Sequence, residues 1–142
     1  MSVFSKNLSY LMEEKGLTAK ELSSILGMKN SVSLSVWLHD KYKPRLNYAI
    51  LIADYFNVSL DYLFFDKEDE KNKFKKAPPF DEQLKKILKE FDKSWYRMIK
   101  DKVCTFDNFY KWFNLKSVPN MDSVIKIADY LSVSLDYLVG RE

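Results

Sequence analysis

The chain has 142 residues, with 23 Lys and Arg against 20 Asp and Glu, and 46% hydrophobic residues beside 30% charged ones. That balance suits a globular chain able to bury a core and argues against extended disorder. One cysteine (Cys104) and one histidine (His39) exclude an internal disulfide and a Cys/His zinc cage, and the isolated Gly16, Gly27 and Gly140 leave no glycine-rich phosphate loop.

From the start of the chain, Phe4, Leu8, Leu11 and Met12 fall at helical spacing, and Lys15-Gly16 supplies the cation and glycine that commonly end a helix. Thr18 followed by Glu21 is a capping box that opens a short second helix bearing Leu22, Ile25 and Leu26, closed by Gly27. A third helix is expected from about Asn30 to Leu38, with Leu34 and Trp37 on one side and Pro44 after it. Ala49, Ile52, Ala53 and Phe56 form the stripe of a fourth. The alternation in Val58-Ser59-Leu60-Asp61-Tyr62-Leu63 imitates a strand, but Ser59 as N-cap, with Val58 and Leu63 as a hydrophobic staple, favours a short fifth helix. Residues 67–79, with 5 Lys against 3 acids and a closing Pro78-Pro79, read as a linker.

The chain then repeats itself. Ile52 to Leu63 and Ile127 to Leu138 agree at every position except Phe56/Leu131 and Asn57/Ser132. The same offset pairs Trp37 with Trp112 and Pro44 with Pro119, whereas Leu8, Leu11 and Met12 match Leu84, Ile87 and Leu88 one residue further on. The expected division is a domain over 1–66, the linker 67–79 and a second domain over 80–142.

A capped second helix, a glycine turn, a third helix ending in Trp, a Pro seven residues later and a final V-S-L-D-x-L segment resemble the phage-repressor-like (Cro/XRE) helix-turn-helix family. The likeness is sharpest over Leu17 to Met28 and extends, degenerately, over the second copy. It implies an all-α fold of two tandem five-helix lambda-repressor-like domains, and a sequence-specific DNA-binding transcriptional regulator, a repressor by family habit. In that family the third helix enters the major groove while flanking cations meet phosphates. Carried over, this selects Asn30, Ser31, Val32, Ser35 and Val36 for the groove, Lys29 at its entrance, and Lys41, Tyr42 and Lys43 on the phosphate-facing loop. In the second copy it selects Thr105, Asn108 and Lys111 beside Phe106 and Asp107, with Phe109 and Trp112 inward.

The resemblance also has departures. Ala19 and Trp95 stand where the family usually offers a phosphate-gripping amide, and the second copy aligns Ile99 with the small Ser23 and Val103 with the turn glycine. Asp107 would repel phosphate. The rival expectation is therefore a protein-interaction or dimerisation module on the same scaffold, with Phe64, Phe65, Trp95 and Tyr96 as contact residues. Cys104 is expected to be a buried, inert thiol, and His39 a surface histidine. No catalytic constellation stands out, so no enzyme and no cofactor are expected; the partners are double-stranded DNA and a second copy of the chain. No apolar run approaches the roughly 20 residues that cross a bilayer, and the opening Met1 to Lys6 lacks a signal-peptide core, which makes the cytoplasm the expected location.

Overall fold

The computed structural model describes residues 2–68 and 73–142 and builds them into ten α-helices, with no strand among the described residues. Residues 69–72, in the middle of the expected linker, lie outside the described residues. The all-α class read from the sequence is the one observed. The chain divides into two compact units, Met1–Lys73 and Phe74–Glu142.

In the first unit the helices are α1 (Val3–Glu14), α2 (Ala19–Ile25), α3 (Val32–Leu38), α4 (Leu46–Phe56) and α5 (Leu60–Phe65). Their starts are set by hydroxyl caps: Ser2 accepts from the Ser5 amide, Thr18 and Glu21 satisfy each other's backbone N–H groups, and Ser59 accepts from the Tyr62 amide at 2.9 Å. Each such cap stabilises its helix by about 1 kcal/mol. The Ser59 cap is what turns the alternating 58–63 segment into a helix instead of a strand. α1 packs on α5 and α3. The core comprises the fully buried Leu8, Leu22, Leu34, Ile52, Leu60 and Leu63. Asn7 pins α1 to the end of α5 by donating to the Tyr62 carbonyl at 2.8 Å. Phe64, expected at a contact surface, is instead buried, with its ring stacked on Phe4 at 4.8 Å. The period of a six-residue helix is too short to reveal which of two adjacent phenylalanines turns inward; Phe65 is the one left exposed.

The second unit contains α6 (Phe80–Glu90), α7 (Trp95–Lys100), α8 (Phe106–Asn114), α9 (Met121–Leu131) and α10 (Leu135–Val139). α6 packs on α10 and α8, around Leu84, Ile87, Met98, Met121 and Ile127. Gln83 donates to the Tyr137 carbonyl at 3.3 Å, the counterpart of the Asn7 anchor in the first unit. α4 and α9 both end on a left-handed residue, Asn57 (φ 54°) and Ser132 (φ 56°), from which the chain enters the Ser-capped last helix. Asn57 is of a type enriched in this conformation, whereas Ser132 is not and takes it all the same.

This unit begins before residue 80. The Lys75 amide donates to the Arg141 carbonyl at 2.7 Å, and the Arg141 guanidinium lies 4.3 Å from the centre of the Phe74 ring. Arg141 is fully buried and ion-paired with buried Asp136. Gly140 makes the approach feasible: it sits at φ +89°, and a Cβ there would come within 2.6 Å of Pro78. The end of the 67–79 segment, polar by composition, is thus part of the second unit, because a buried cation supplies the partner that composition does not show.

Two predictions follow from these anchors. Arg141→Ala removes the buried cation paired with the Asp136 carboxylate and should lower the stability of the second unit by about 3 kcal/mol, read by urea denaturation. Asp81, at the start of α6, is held below the usual carboxylate range chiefly by its hydrogen bond from the Lys116 ammonium. Its stabilising contribution is therefore complete above about pH 4 and lost as pH falls further. Asp81→Asn should flatten that acid limb in a denaturation series across pH.

Candidate nucleic-acid interface

The segment from α2 to Pro44 is assembled from three local devices. The first is the turn after α2: the Gly27 amide donates to the Ser24 carbonyl at 3.1 Å and the Met28 amide to the Ser23 carbonyl at 2.9 Å, with Gly27 at φ +76°. This paired closure satisfies the last carbonyls of α2 and reverses the chain toward α3. Ser23 is buried, and its hydroxyl makes no hydrogen bond.

The second device starts α3. The sequence suggested a helix from about Asn30, but regular helix begins at Val32, because the Asn30 side chain accepts from the Val32 amide at 3.0 Å and holds residues 30–31 in a turn. Leu34 and Trp37 are then buried, Trp37 against Tyr48 with ring centres 5.6 Å apart.

The third closes α3. Asp40 takes the left-handed position at φ 66°, its amide donating to the Trp37 carbonyl at 3.2 Å and the Lys41 amide to the Val36 carbonyl at 3.2 Å. The Asp40 carboxylate accepts from the Ser2 amide, and hydrogen bonding to Ser2, its side chain first and its backbone second, holds the Asp40 pKa below the usual range. Ser5 on α1 donates its hydroxyl to the Leu38 carbonyl at 2.7 Å. The end of α3 is thus tied to the start of α1 at two points. His39 is exposed, and its Nδ1–H donates to the Ser35 carbonyl at 2.7 Å, so that nitrogen serves the helix end.

Between these devices the sequence-selected residues share one region. Lys29, Asn30 and Ser35 are exposed, as is Val32 at 65%, while Ser31 and Val36 are half-buried. Lys41, Tyr42 and Lys43 are exposed on the following loop, with Pro44 buried behind them. The site presents hydroxyl, amide and methyl groups flanked by three lysines.

The second unit has the same elements with different chemistry. Thr105 is the N-cap of α8, accepting from the Asn108 amide at 3.1 Å. Asn108 is half-buried beside a cavity of about 410 Å³ that Cys104 also lines, and Lys111 pairs with Asp107 at 3.1 Å. Trp112 is buried against Phe80 at 5.7 Å, whereas Phe109 is only half-buried. Cys104 is buried, and burial pushes its thiol pKa up.

The turn before α8 corrects the sequence alignment by one residue. Lys102, at φ 61°, occupies the left-handed position, with the Lys102 amide donating to the Ile99 carbonyl and the Val103 amide to the Met98 carbonyl. Lys102 and buried Met98 thus correspond to Gly27 and Ser23, not Val103 and Ile99. The reason is that α7 is one residue shorter than α2, so the register changes inside the helix, after its cap.

The all-helical first unit is consistent with a helix-turn-helix fold. Residues 8–63, from α1 to α5, match a family model described as helix-turn-helix, and the match lies wholly within the first unit. It supports a DNA-binding regulator as a class. No curated protein and no solved structure matches the chain.

The paired turns make a stability prediction. Lys102→Gly relieves a side chain in the left-handed region and should stabilise the second unit by about 1 kcal/mol. Gly27→Ala should cost the first unit a similar amount from the backbone alone, since a Cβ there meets nothing within 4 Å. Thermal melts of the two variants should shift in opposite directions.

Proposed function

We propose that the chain is a sequence-specific DNA-binding transcriptional regulator, acting as a repressor, whose first unit reads the major groove with α3. The observation that carries this reading is the exposed side of α3 opposite Leu34 and Trp37, where Val32 and Ser35 stand clear of the core between Lys29 and the Lys41–Lys43 loop. Methyl and hydroxyl groups suit thymine methyls and base edges, and the lysines suit phosphates. The formal net charge of +3 is small for such a role, but the local field at the contact face, not the total, sets phosphate affinity.

On this reading the two five-helix units are tandem copies, the protein works without a cofactor and without catalysis, and its place is the cytoplasm with DNA. The second unit serves either as a second reader, through Thr105, Asn108 and Lys111, or as a module that pairs two chains. The aromatic surface of α8 and the Asp107–Lys111 pair favour the second of these, since Asp107 is exposed and opposes phosphate.

Gel-shift titration with genomic fragments over a range of salt tests the proposal. Lys43→Ala should weaken binding to all sequences and reduce the salt slope by about one unit, as expected for one lost phosphate contact. Ser31→Ala and Val32→Ala should instead change which fragments are preferred, at about 1–3 kcal/mol per altered base contact. Uniform loss from both classes of variant, or no salt-dependent binding by the wild-type chain, would remove DNA reading from α3.

A further inference from the structure

In the second unit, α6, the start of α7 and α8 line an open groove of about 480 Å³. Its apolar lining is a ladder of rings: Trp95 stacks on Phe109 with centres 5.4 Å apart, and Phe109 on Phe113 at 4.3 Å, with Leu88 beside them. Trp95 is 44% exposed, and Phe109 and Phe113 are half-buried, so the core uses only part of each ring. Apolar area of this continuity on a small unit is the kind that marks a contact site. The two ring-to-ring steps span no more than about two turns of an α-helix.

The charge along the groove is of one sign and on one side. Lys85 and Lys89 stand one turn apart on α6, and Lys93 follows at the entry to α7; all three are exposed, and no acidic residue lines the groove. The Lys85 ammonium lies 5.7 Å from the centre of the Phe113 ring, and Lys93 precedes Trp95 by two residues, so the cations follow the ladder from one end to the other. Among the described residues none of the three forms an ion pair. The Lys93 ammonium lies 5.5 Å from the centre of the Tyr130 ring, and a ring does not neutralise the charge it attracts. The neighbouring acids are engaged elsewhere: Glu90 accepts from the Tyr137 hydroxyl, and Asp101 accepts from Tyr130 and pairs with Arg97. On the α8 side, Lys111 is paired with Asp107.

Three occupants would meet this groove differently. A second copy of the chain, placed on a twofold axis at the groove, sets the three lysines against themselves. A nucleic-acid strand carries a phosphate at every residue, and only the α6 wall offers unpaired cations to receive them. A helix with one acidic edge beside one apolar face matches both walls at once: carboxylates four residues apart meet Lys85 and Lys89, and apolar side chains at i, i+3 and i+4 or i+7 lie on the rings.

We propose that the groove between α6 and α8 is a docking site for an acidic amphipathic helix of another protein, its apolar face laid on the Trp95–Phe109–Phe113 ladder and its Asp or Glu side chains paired with Lys85 and Lys89. Burial of the rings supplies the affinity, and the row of lysines selects the sign and the edge of the partner. The site stands whether or not α3 reads DNA, so its failure is distinct from any failure of the gel shifts.

The experiment is a fluorescence-anisotropy titration of the full chain, without DNA, against a labelled peptide of about 16 residues, long enough to hold some helix in solution. The peptide carries Leu and Phe at i, i+3, i+4 and i+7 and Glu residues four apart along one edge. It is compared with a version bearing Gln for each Glu, one bearing Lys for each Glu, one with the same residues shuffled so that no apolar face forms, and an oligothymidylate of similar length. The Glu peptide should bind at roughly 1 to 100 µM, and every other probe severalfold more weakly. The emission of Trp95 should shift to the blue as the Glu peptide binds, because Trp37 and Trp112 are already buried. The double variant Lys85→Glu, Lys89→Glu should lose about tenfold in affinity with an unchanged far-ultraviolet circular dichroism spectrum, and should now prefer the Lys peptide. Lys20→Glu, an exposed change of the same charge on α2, should leave the affinity as it was. Equal binding of the Glu and Gln peptides, or of the shuffled one, would overturn the proposal. So would tighter binding of the oligothymidylate, no binding of the Glu peptide, a double variant that keeps the wild-type preference, an equal loss from Lys20→Glu, or a Trp95 shift produced by chain concentration alone.

Discussion

The surface offered by the first unit depends on how its third helix is anchored. A seven-residue helix has no independent stability in water, so its position comes from its tertiary contacts. Leu34 and Trp37 fasten one side to the core, the Ser5 hydroxyl and the Ser2 amide hold the residues at its C-terminal end, and the Asn30 side chain sets its start. These contacts all lie on the core side or at the two ends. The remaining side is therefore determined in position yet chemically unconstrained by folding, the condition a recognition surface requires: it can vary in sequence without altering the scaffold.

The second unit applies the same anchorage to a different outer surface. Trp112 against Phe80 fastens α8, the Thr105 hydroxyl caps it, and a left-handed residue in the preceding turn aims it. What lies outward is aromatic, not small and polar. The difference is not confined to one position: Trp95 on α7, Phe106 and Tyr110 contribute to one continuous surface with half-buried Phe109 and Phe113 beneath it. The five helices of each unit thus carry different outer chemistries, and a shared helical class does not assign the two units the same partner. The Lys102 turn shows the same economy of constraint. The hydrogen bonds that close it are those made around Gly27, and only the backbone preference of the residue has been given up.

Legibility in the sequence varied with the range of the interaction. Helix starts were readable because a cap is a contact between residues three apart: Thr18 with Glu21, and Ser59 with the Tyr62 amide, stand in the structure as their spacing suggested. The stripes of α4 and α9 were readable because a helix of 11 residues samples its own period three times. Shorter elements misled. The inward turn of Phe64, the start of α3 at Val32 and the one-residue shift within α7 each depend on a contact or a length that local pattern does not carry. The Asn7 and Gln83 anchors also escaped notice, although their matched places at the start of each repeat were a usable signal.

By itself the sequence determined the helical class and the order of the elements, because period and caps are properties of near neighbours along a chain. Only the tertiary structure decided that Phe74 to Pro79 belong to the second unit and that the rings around Trp95 form one surface. It also decided that Lys102 carries the strained turn. Those outcomes depend on partners far apart in sequence, such as Arg141 for Phe74 and Phe109 for Trp95, and no local pattern records which distant side chain will close upon which.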